Sequence, residues 1–208
     1  MYGDSAFKGN VVTSMEPDEE LVRQTLLGDT RAFEFLVARH QDSVAKYIWR
    51  LIPSSEDREE ICQDVFVKVY FSLNKFRFDS KFSTWLYKIS WRTALTFLRK
   101  KRLSMSSIGN ELIDEFASAE KDLESVSDEE RIRLIIEREI GRLKPDERSI
   151  VTLFHLQELG IEEIAEIVEK PAGTIKSILH RVRHKLKTQL KELAEPGQVR
   201  TGLNEGVA

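Results

Sequence analysis

Between Phe33 and Leu51 the apolar side chains recur at intervals of three and four residues, over about five turns of helix. This period places them on one face of an amphipathic α-helix, whereas the faces of a strand alternate every two residues. Helical spacing of this kind returns along most of the chain, and no segment shows strand alternation or an internal repeat. The sequence therefore predicts an all-α fold.

The first four predicted helices form one small domain, residues 16–103. Pro17 opens a short helix ahead of the one just described, and Ser54 or Ser55 caps a third. A fourth runs from about Ser83 to Arg102 after a turn-like segment. Four helices are enough for a compact bundle. Residues 1–15 are predicted to be a flexible N-terminus.

An acidic linker is predicted at residues 104–126. From Ser104 to Glu130 there are nine acidic residues and one basic residue, Lys121. Structure resumes at a capping box, Ser127 with Glu130 three residues later. Pro145 starts the next helix, which is expected to continue to Gly160. Residues 127–194 are predicted to be a second small helical domain, followed by a flexible tail at 195–208.

Composition excludes several classes of protein. The net charge is −3, and no stretch approaches the roughly 18 apolar residues that a membrane span requires. The N-terminus has no apolar block of signal-peptide length, so a cytoplasmic protein is expected. Cys62 is predicted to be a buried thiol, because no other cysteine or histidine stands at ligand spacing from it. We expect no metal, cofactor or small-molecule substrate.

Two helices near the C-terminus form a predicted helix-turn-helix, Ile161–Val168 and about Thr174–Leu193, joined by Glu169–Gly173. The first helix and the residue that follows it, Glu169, carry four glutamates, whereas the second has six basic residues and no acidic residue up to Lys191. The shared core is predicted to contain Ile164, Val168, Ile175, Ile178, Leu179 and Val182. In this arrangement the second helix enters the major groove, and its positive charge suits phosphates.

The segment Pro171-Ala172-Gly173-Thr174-Ile175-Lys176-Ser177-Ile178-Leu179-His180-Arg181-Val182-Arg183 resembles region 4 of extracytoplasmic-function sigma factors. By this resemblance the residues that read the −35 promoter element are Lys176, Ser177, His180 and Arg181, with Thr174 and Arg183 on phosphates. The sequence departs from the family pattern at Glu169, where a small or polar residue is usual. It also departs at Lys170, where an apolar residue is usual, and at Ile178, where arginine is common.

Aromatic and basic residues share a strip in the first half. Ten of the eighteen aromatic residues lie between Phe66 and Phe97, and Lys75 to Leu103 contains nine basic residues and one acid. Bases can stack on aromatic rings while basic side chains follow the backbone, so the strip suits single-stranded DNA. We expect packing roles for Trp85, Leu86, Ile89 and Phe97. We expect exposed rings at Phe76, Phe78 and Trp91.

This half is similar to sigma region 2. Glu59 to Tyr70 resembles region 2.2, which implies that Glu60, Gln63 and Asp64 bind the β′ clamp helices of RNA polymerase. Phe82-Ser83-Thr84-Trp85-Leu86-Tyr87-Lys88-Ile89 resembles region 2.3. The resemblance implies contacts to the −10 element, including a base flipped from the duplex, at Phe76, Arg77, Phe78, Asp79, Ser80, Lys81, Lys88, Trp91 and Arg92. Arg92 and Thr96 replace the asparagine and aspartate common in the family.

Both resemblances together identify the chain as a sigma factor of the small extracytoplasmic-function type. The implied partners are core RNA polymerase, through its β′ clamp helices and β flap, promoter DNA and an anti-sigma factor that can be membrane-anchored. A stress or envelope response is the implied setting. A stand-alone helix-turn-helix regulator is the alternative, but it does not explain the segment Phe82–Ile89. An enzyme finds little support, because the four histidines have no catalytic partners and no Gly-rich phosphate loop is present.

Overall fold

The computed structural model describes residues 15–105 and 127–194, and all regular structure within these two ranges is helical. The all-α prediction is therefore confirmed. The first range also contains a 3-10 turn, Leu73–Lys75. The α-helices are α1 Asp18–Leu26, α2 Thr30–Leu51, α3 Ser55–Ser72, α4 Phe82–Met105, α5 Asp128–Gly141, α6 Pro145–His155, α7 Ile161–Val168 and α8 Ala172–Ala194. The predicted termini and most of the predicted linker, 106–126, lie outside the described ranges.

Local capping explains where the helices of the first half begin. Asp29 accepts a hydrogen bond from the Arg31 amide at the start of α2, and Ser54 accepts one from the Asp57 amide at the start of α3. α1 is held on α2 by buried Leu21 and Val22 and by polar contacts of the Asp18 carboxylate. α2, α3 and α4 also pack on one another, so α1 to α4 form a bundle, as the sequence predicted.

The second half confirms the predicted cap at Ser127, whose hydroxyl accepts from the Glu130 amide. One expected boundary is wrong: α6 ends at His155 rather than at Gly160. Glu158 has a positive φ of 53°, which a helix does not accommodate, so 156–160 forms a turn. This turn lets the chain reverse from α6 into α7.

The two halves pack against each other and share one continuous hydrophobic core. α2 lies against α6, and α4 lies against α7. The Tyr47 hydroxyl lies 2.5 Å from Ser149 Oγ inside this core, and the Tyr87 hydroxyl donates to Gln157 at 2.5 Å. Burial raises the pKa of Tyr47. The helix-turn-helix is therefore docked on the first domain rather than separate from it.

Candidate nucleic-acid interface

The turn between α7 and α8 brings a short helix and a longer basic helix into close packing. Glu169 ends α7 in the left-handed conformation, with φ 54° and ψ 44°. Gly173 follows within the first turn of α8. The residues predicted to form the shared core are all buried: Ile164, Val168, Ile175, Ile178, Leu179 and Val182. This part of the sequence prediction is confirmed, and burial explains why an apolar Ile178 is tolerated in α8.

All six residues implied in −35 recognition are exposed on α8: Thr174, Lys176, Ser177, His180, Arg181 and Arg183. The Ser177 hydroxyl donates to the Gly173 carbonyl. Arg181 does not extend freely into solvent, because it forms an ion pair with Glu147 of α6. Its guanidinium is therefore already paired within the chain.

A nearly buried carboxylate fixes α8 to α5. Glu139 is 2% exposed and accepts from Arg142 at 2.8 Å, while Lys185 Nζ lies 3.0 Å from its other oxygen. Burial alone would raise the pKa of Glu139, but Lys185 and Arg142 outweigh it and hold that pKa below its usual value. Lys185 therefore helps to hold α8 against α5.

The loop implied in −10 recognition has one buried ring and one exposed ring. The expectation that Phe76 is exposed is wrong: it is 5% exposed, and its ring lies 5.4 Å from Trp85 and 5.9 Å from Phe82. Phe78 is 37% exposed and has a positive φ of 60°, uncommon for a bulky residue. Arg23 of α1 lies over the Phe78 ring at 4.9 Å. Phe78 is thus the more exposed of the two phenylalanine rings of this loop.

Trp91 also differs from expectation, because it is only 8% exposed. It follows Tyr87 by four residues and Lys88 by three, so it lies on the face of α4 that meets the second half. Its indole N–H is buried without an acceptor among the described residues. Of the residues expected to pack, Leu86 is fully buried, and Trp85, Ile89 and Phe97 are half-buried and pack on the core.

Three of the basic residues implied in −10 recognition are ion-paired to α7. Lys81 Nζ lies 2.9 Å from Glu163, Lys88 Nζ lies 3.4 Å from Glu169, and Arg92 pairs with the same Glu169 oxygen. Hydrogen bonds from Lys81 and the Gly160 amide lower the pKa of Glu163. Arg92 is the main cause of the lowered pKa of Glu169. Three cations of the strip are thus paired with acidic residues from elsewhere in the chain, although Lys81 and Arg92 remain exposed.

The rest of the −10 loop faces solvent. Arg77 and Asp79 are exposed and pair with each other at 2.8 Å, and Ser80 is half-buried beside them. An ion pair this exposed contributes little to stability, so both side chains can change partners readily.

The polymerase-binding residues implied by the resemblance lie together on α3. Glu60, Gln63 and Asp64 are exposed, and Asp64 lies 3.5 Å from Lys68. Val67 and Phe71, which the sequence reasoning did not single out, continue this face at helical spacing and are 52% and 77% exposed. The signal that could have found them was their spacing of three and seven residues from Asp64. We call Glu60, Gln63, Asp64, Val67 and Phe71 the α3 face.

No group of three potential metal ligands occurs in the described part of the chain. Cys62 is half-buried, and burial, with a smaller contribution from Glu59, raises the pKa of its thiol. A raised thiol pKa leaves little reactive thiolate at neutral pH. Within 15–105 and 127–194, none of the helices has the length and apolar character needed to cross a membrane.

Comparison with known families agrees with this geometry. Residues 36–103 match Sigma-70 region 2, and residues 133–186 match Sigma-70, region 4. The ECF RNA polymerase sigma-E factor of Escherichia coli strain K12 is 36% identical over 183 residues, which cover 85% of this chain and 95% of that protein. The chain belongs to the extracytoplasmic-function sigma factors of the sigma-70 family. Such a factor acts in transcription initiation with core RNA polymerase and promoter DNA, and it is not an enzyme.

Other relatives support the same assignment. The RNA polymerase sigma-H factor of Pseudomonas aeruginosa is 33% identical over 187 residues, covering 86% of this sigma factor and 97% of that protein. Two solved structures share the fold at 21% identity. CnrH in complex with the cytosolic domain of CnrY gives a TM-score of 0.61, over 85% of this chain and 98% of that one. RpoE from Bartonella quintana, in complex with the anti-sigma factor NepR, gives a TM-score of 0.63, over 76% of this chain and 96% of that one.

Proposed function

We propose that the two halves of this sigma factor recognise two separate promoter elements. α8 reads the −35 element as duplex, with Lys176, Ser177, His180 and Arg181 at base edges and Thr174 and Arg183 on phosphates. The observation that carries this proposal is the exposed basic face of α8, which follows a tight turn and packs on α7 through its opposite, apolar face. A helix presented in this way is suited to the major groove.

The strip on α4 and the loop before it bind the −10 element and help to open it. Phe78 offers an exposed ring in a strained loop, and Lys81, Lys88 and Arg92 offer charges for the backbone of the separated strand. Stacking a base on an aromatic ring contributes about 1–3 kcal/mol, which can offset the cost of unstacking it from duplex. Trp91 joins this surface only when the second half moves away from α4.

The α3 face binds the β′ clamp helices of the polymerase, and the second half binds the β flap. Support for the first contact comes from an exposed apolar pair, Val67 and Phe71, bordered by Glu60, Gln63 and Asp64. An apolar centre with a charged rim is the usual anatomy of a protein interface. The same factor is proposed to be held inactive by an anti-sigma factor, which can be membrane-anchored.

One similar structure, RpoE from Bartonella quintana, was solved in complex with an anti-sigma factor, NepR, and another, CnrH, in complex with the cytosolic domain of CnrY. These complexes support the anti-sigma proposal. The setting we propose is a stress response of the cell envelope, carried out in the cytoplasm, where polymerase and promoter DNA are found. Release from the anti-sigma factor would then make the α3 face available to core polymerase.

Run-off transcription with purified core polymerase on genomic promoter fragments tests the whole proposal. The chain should direct initiation at a discrete set of start sites, and each should have shared sequence at both −35 and −10. Core polymerase alone is the control. Specific, nanomolar binding of the free chain to these promoters without core would instead favour a stand-alone regulator.

A further inference from the structure

An ion pair inside the second half holds one of the residues proposed to read the −35 element. The Glu147 carboxylate, in the first turn of α6, accepts a hydrogen bond from Arg181 Nη2 of α8. The glutamate side chain is 20% exposed, whereas the arginine side chain is 63% exposed. A sheltered acid therefore holds a guanidinium that remains open to solvent.

We propose that Glu147 is a positioning residue for −35 recognition, which holds the Arg181 guanidinium in the orientation that meets a base edge. This inference rests on the proposed −35 role of Arg181. Glu147 touches no base in this role and acts on the promoter only through the arginine. The sequence gave no sign of this role, because Glu147 and Arg181 are 34 positions apart.

The turn that carries Glu147 is anchored on both sides. Arg148, the next residue, is buried and donates hydrogen bonds to two carbonyl groups, at the end of α5 and in the turn after it. The preceding residue, Asp146, lies 3.1 Å from Lys170 Nζ, in the turn between α7 and α8. Because the backbone of Glu147 is fixed in this way, its carboxylate can orient the flexible arginine rather than follow it.

The position of Arg181 on α8 fits a base contact. Arg181 follows Ser177 by four residues and Thr174 by seven, so the three side chains form one exposed stripe along the helix. A guanidinium has five N–H donors, and arginine commonly reads the two acceptors of guanine with a pair of them. Glu147 engages Nη2 and does not exhaust these donors. Arg181 can therefore meet a base while it keeps its carboxylate.

Holding the arginine in advance has two consequences for recognition. Ordering a flexible side chain at an interface weakens binding by about twofold to tenfold, and an arginine that is already held avoids much of this loss. A free guanidinium can also turn to a phosphate, a contact that carries no sequence information. The Glu147 carboxylate repels phosphates, so it favours the base edge over the DNA backbone.

Competition binding of the assembled polymerase to duplex promoters, with all four base pairs at each −35 position, tests the proposal. Glu147→Gln keeps the side-chain size and an uncharged acceptor, and Glu147→Ala removes both. We expect Glu147→Ala to reduce the preference at the position that Arg181 reads by about twofold to tenfold, and Glu147→Gln to reduce it less. Preferences at the other −35 positions should not change.

Asp146→Asn is the matched control, because Asp146 lies in the same turn and pairs with Lys170 rather than with α8. Like Glu147→Gln, it removes one negative charge from the N-terminus of α6, so the two variants share any effect on helix stability. It can change the affinity for all promoters alike, but it should leave the base preference intact. A loss of preference in Asp146→Asn equal to that in Glu147→Gln would refute the positioning role.

Arg181→Ala separates this inference from the −35 proposal on which it rests. If Arg181 reads a base, Arg181→Ala removes the preference at one position, and adding Glu147→Ala should change that preference no further. Loss of preference in Arg181→Ala but not in Glu147→Ala would refute only the positioning role. Tighter binding by Glu147→Ala with its preference retained would also refute it, because Glu147 would then withhold the arginine from DNA. An unchanged preference in Arg181→Ala would refute the proposed reading itself.

Discussion

The Tyr47 hydroxyl and Ser149 Oγ are 2.5 Å apart and fully buried, although 102 positions separate them in the chain. Tyr47 belongs to α2 and Ser149 to α6, so this hydrogen bond lies between the two halves. It gives the packed halves a polar contact inside their shared core. Its contribution can be measured separately from the ion pairs at the surface.

We predict that Ser149→Ala lowers the free energy of unfolding by about 1–3 kcal/mol, because it leaves the Tyr47 hydroxyl buried without that partner. Adding Tyr47→Phe should recover part of the loss, since both polar groups are then absent. Urea unfolding of the single and double variants measures this coupling. Tyr70→Phe, at an exposed ring, is the control. An additive double variant would mean that the halves are not packed in solution as they are here.

The carboxylate of Glu139 gives a prediction about pH. Its pKa is depressed by Lys185 and Arg142, so its contribution to stability is present above the usual carboxyl pKa and is lost as pH falls through the depressed value. Glu139→Gln should therefore cost about 1.5–3 kcal/mol at neutral pH, the range for hydrogen bonds to charged groups, and much less in acid.

Urea unfolding at pH 7 and at about pH 3 tests this, because the contribution begins to fall below about 4.3, the pKa of an unperturbed Glu in the unfolded chain. Glu137→Gln is a suitable control, because Glu137 is a more exposed neighbour on α5. It should lose less than about 1 kcal/mol at pH 7. A penalty for Glu139→Gln that stays the same at both pH values would show that the ion pairs are not its source.

Local signals in the sequence were sufficient to predict where most of the helices begin. The cap at Ser127 and the start at Pro145 are where the sequence placed them, α7 spans the predicted residues, and Ser54 is one of the two caps that the sequence offered for α3. The core of the helix-turn-helix followed from the same periodicity, because helix spacing and apolar burial are properties of neighbouring residues.

Exposure of individual rings could not be predicted in the same way. Ten aromatic residues within 32 positions are too many for one helix face, and only long-range packing decides that Phe76 and Trp91 are buried while Phe78 is not. No local pattern in the sequence indicates that Glu163 and Glu169 pair with basic residues of α4 and the loop before it. The acidic character of α7 was visible, but its partner on α4 was not.

The α3 face leads to a prediction about polymerase binding. Asp64→Lys reverses a charge at the rim, and Phe71→Ala removes an exposed ring that would be buried in the complex. Loss of a buried aromatic anchor costs about 2 kcal/mol or more, so we expect at least a 30-fold weaker affinity of Phe71→Ala for core polymerase. Asp64→Lys should also weaken binding.

Titration of labelled sigma factor with core polymerase, read by fluorescence anisotropy, gives these affinities. Leu27→Ala is the apolar control, at a leucine that is exposed away from α3, and Glu34→Lys is the charge control on α2. Circular dichroism should show that all four variants remain folded. Affinities of Phe71→Ala and Asp64→Lys that equal those of the controls would place the polymerase contact elsewhere.

The last prediction concerns the division of labour between α8 and the −10 loop. Arg181→Ala should weaken closed-complex binding by about 1–3 kcal/mol and relax base preference at one −35 position. Its pairing with Glu147 in the free protein does not alter this direction, because the ion pair is exposed on the arginine side. Gel-shift titration of duplex promoter with the assembled polymerase measures the loss.

Phe78→Ala should act at the later step, because a stacking ring is useful only once bases have left the duplex. Phe78 is the suitable probe, since Trp91→Ala and Phe76→Ala would also remove buried rings and destabilise the fold by about 3–5 kcal/mol. The Phe78→Ala protein should form the closed complex normally but expose permanganate-reactive thymines more slowly. A template pre-melted around −10 should restore much of the opening rate that Phe78→Ala loses. It should restore much less of the affinity that Arg181→Ala loses. If pre-melting rescues both variants equally, duplex reading and strand opening are not divided between these two surfaces.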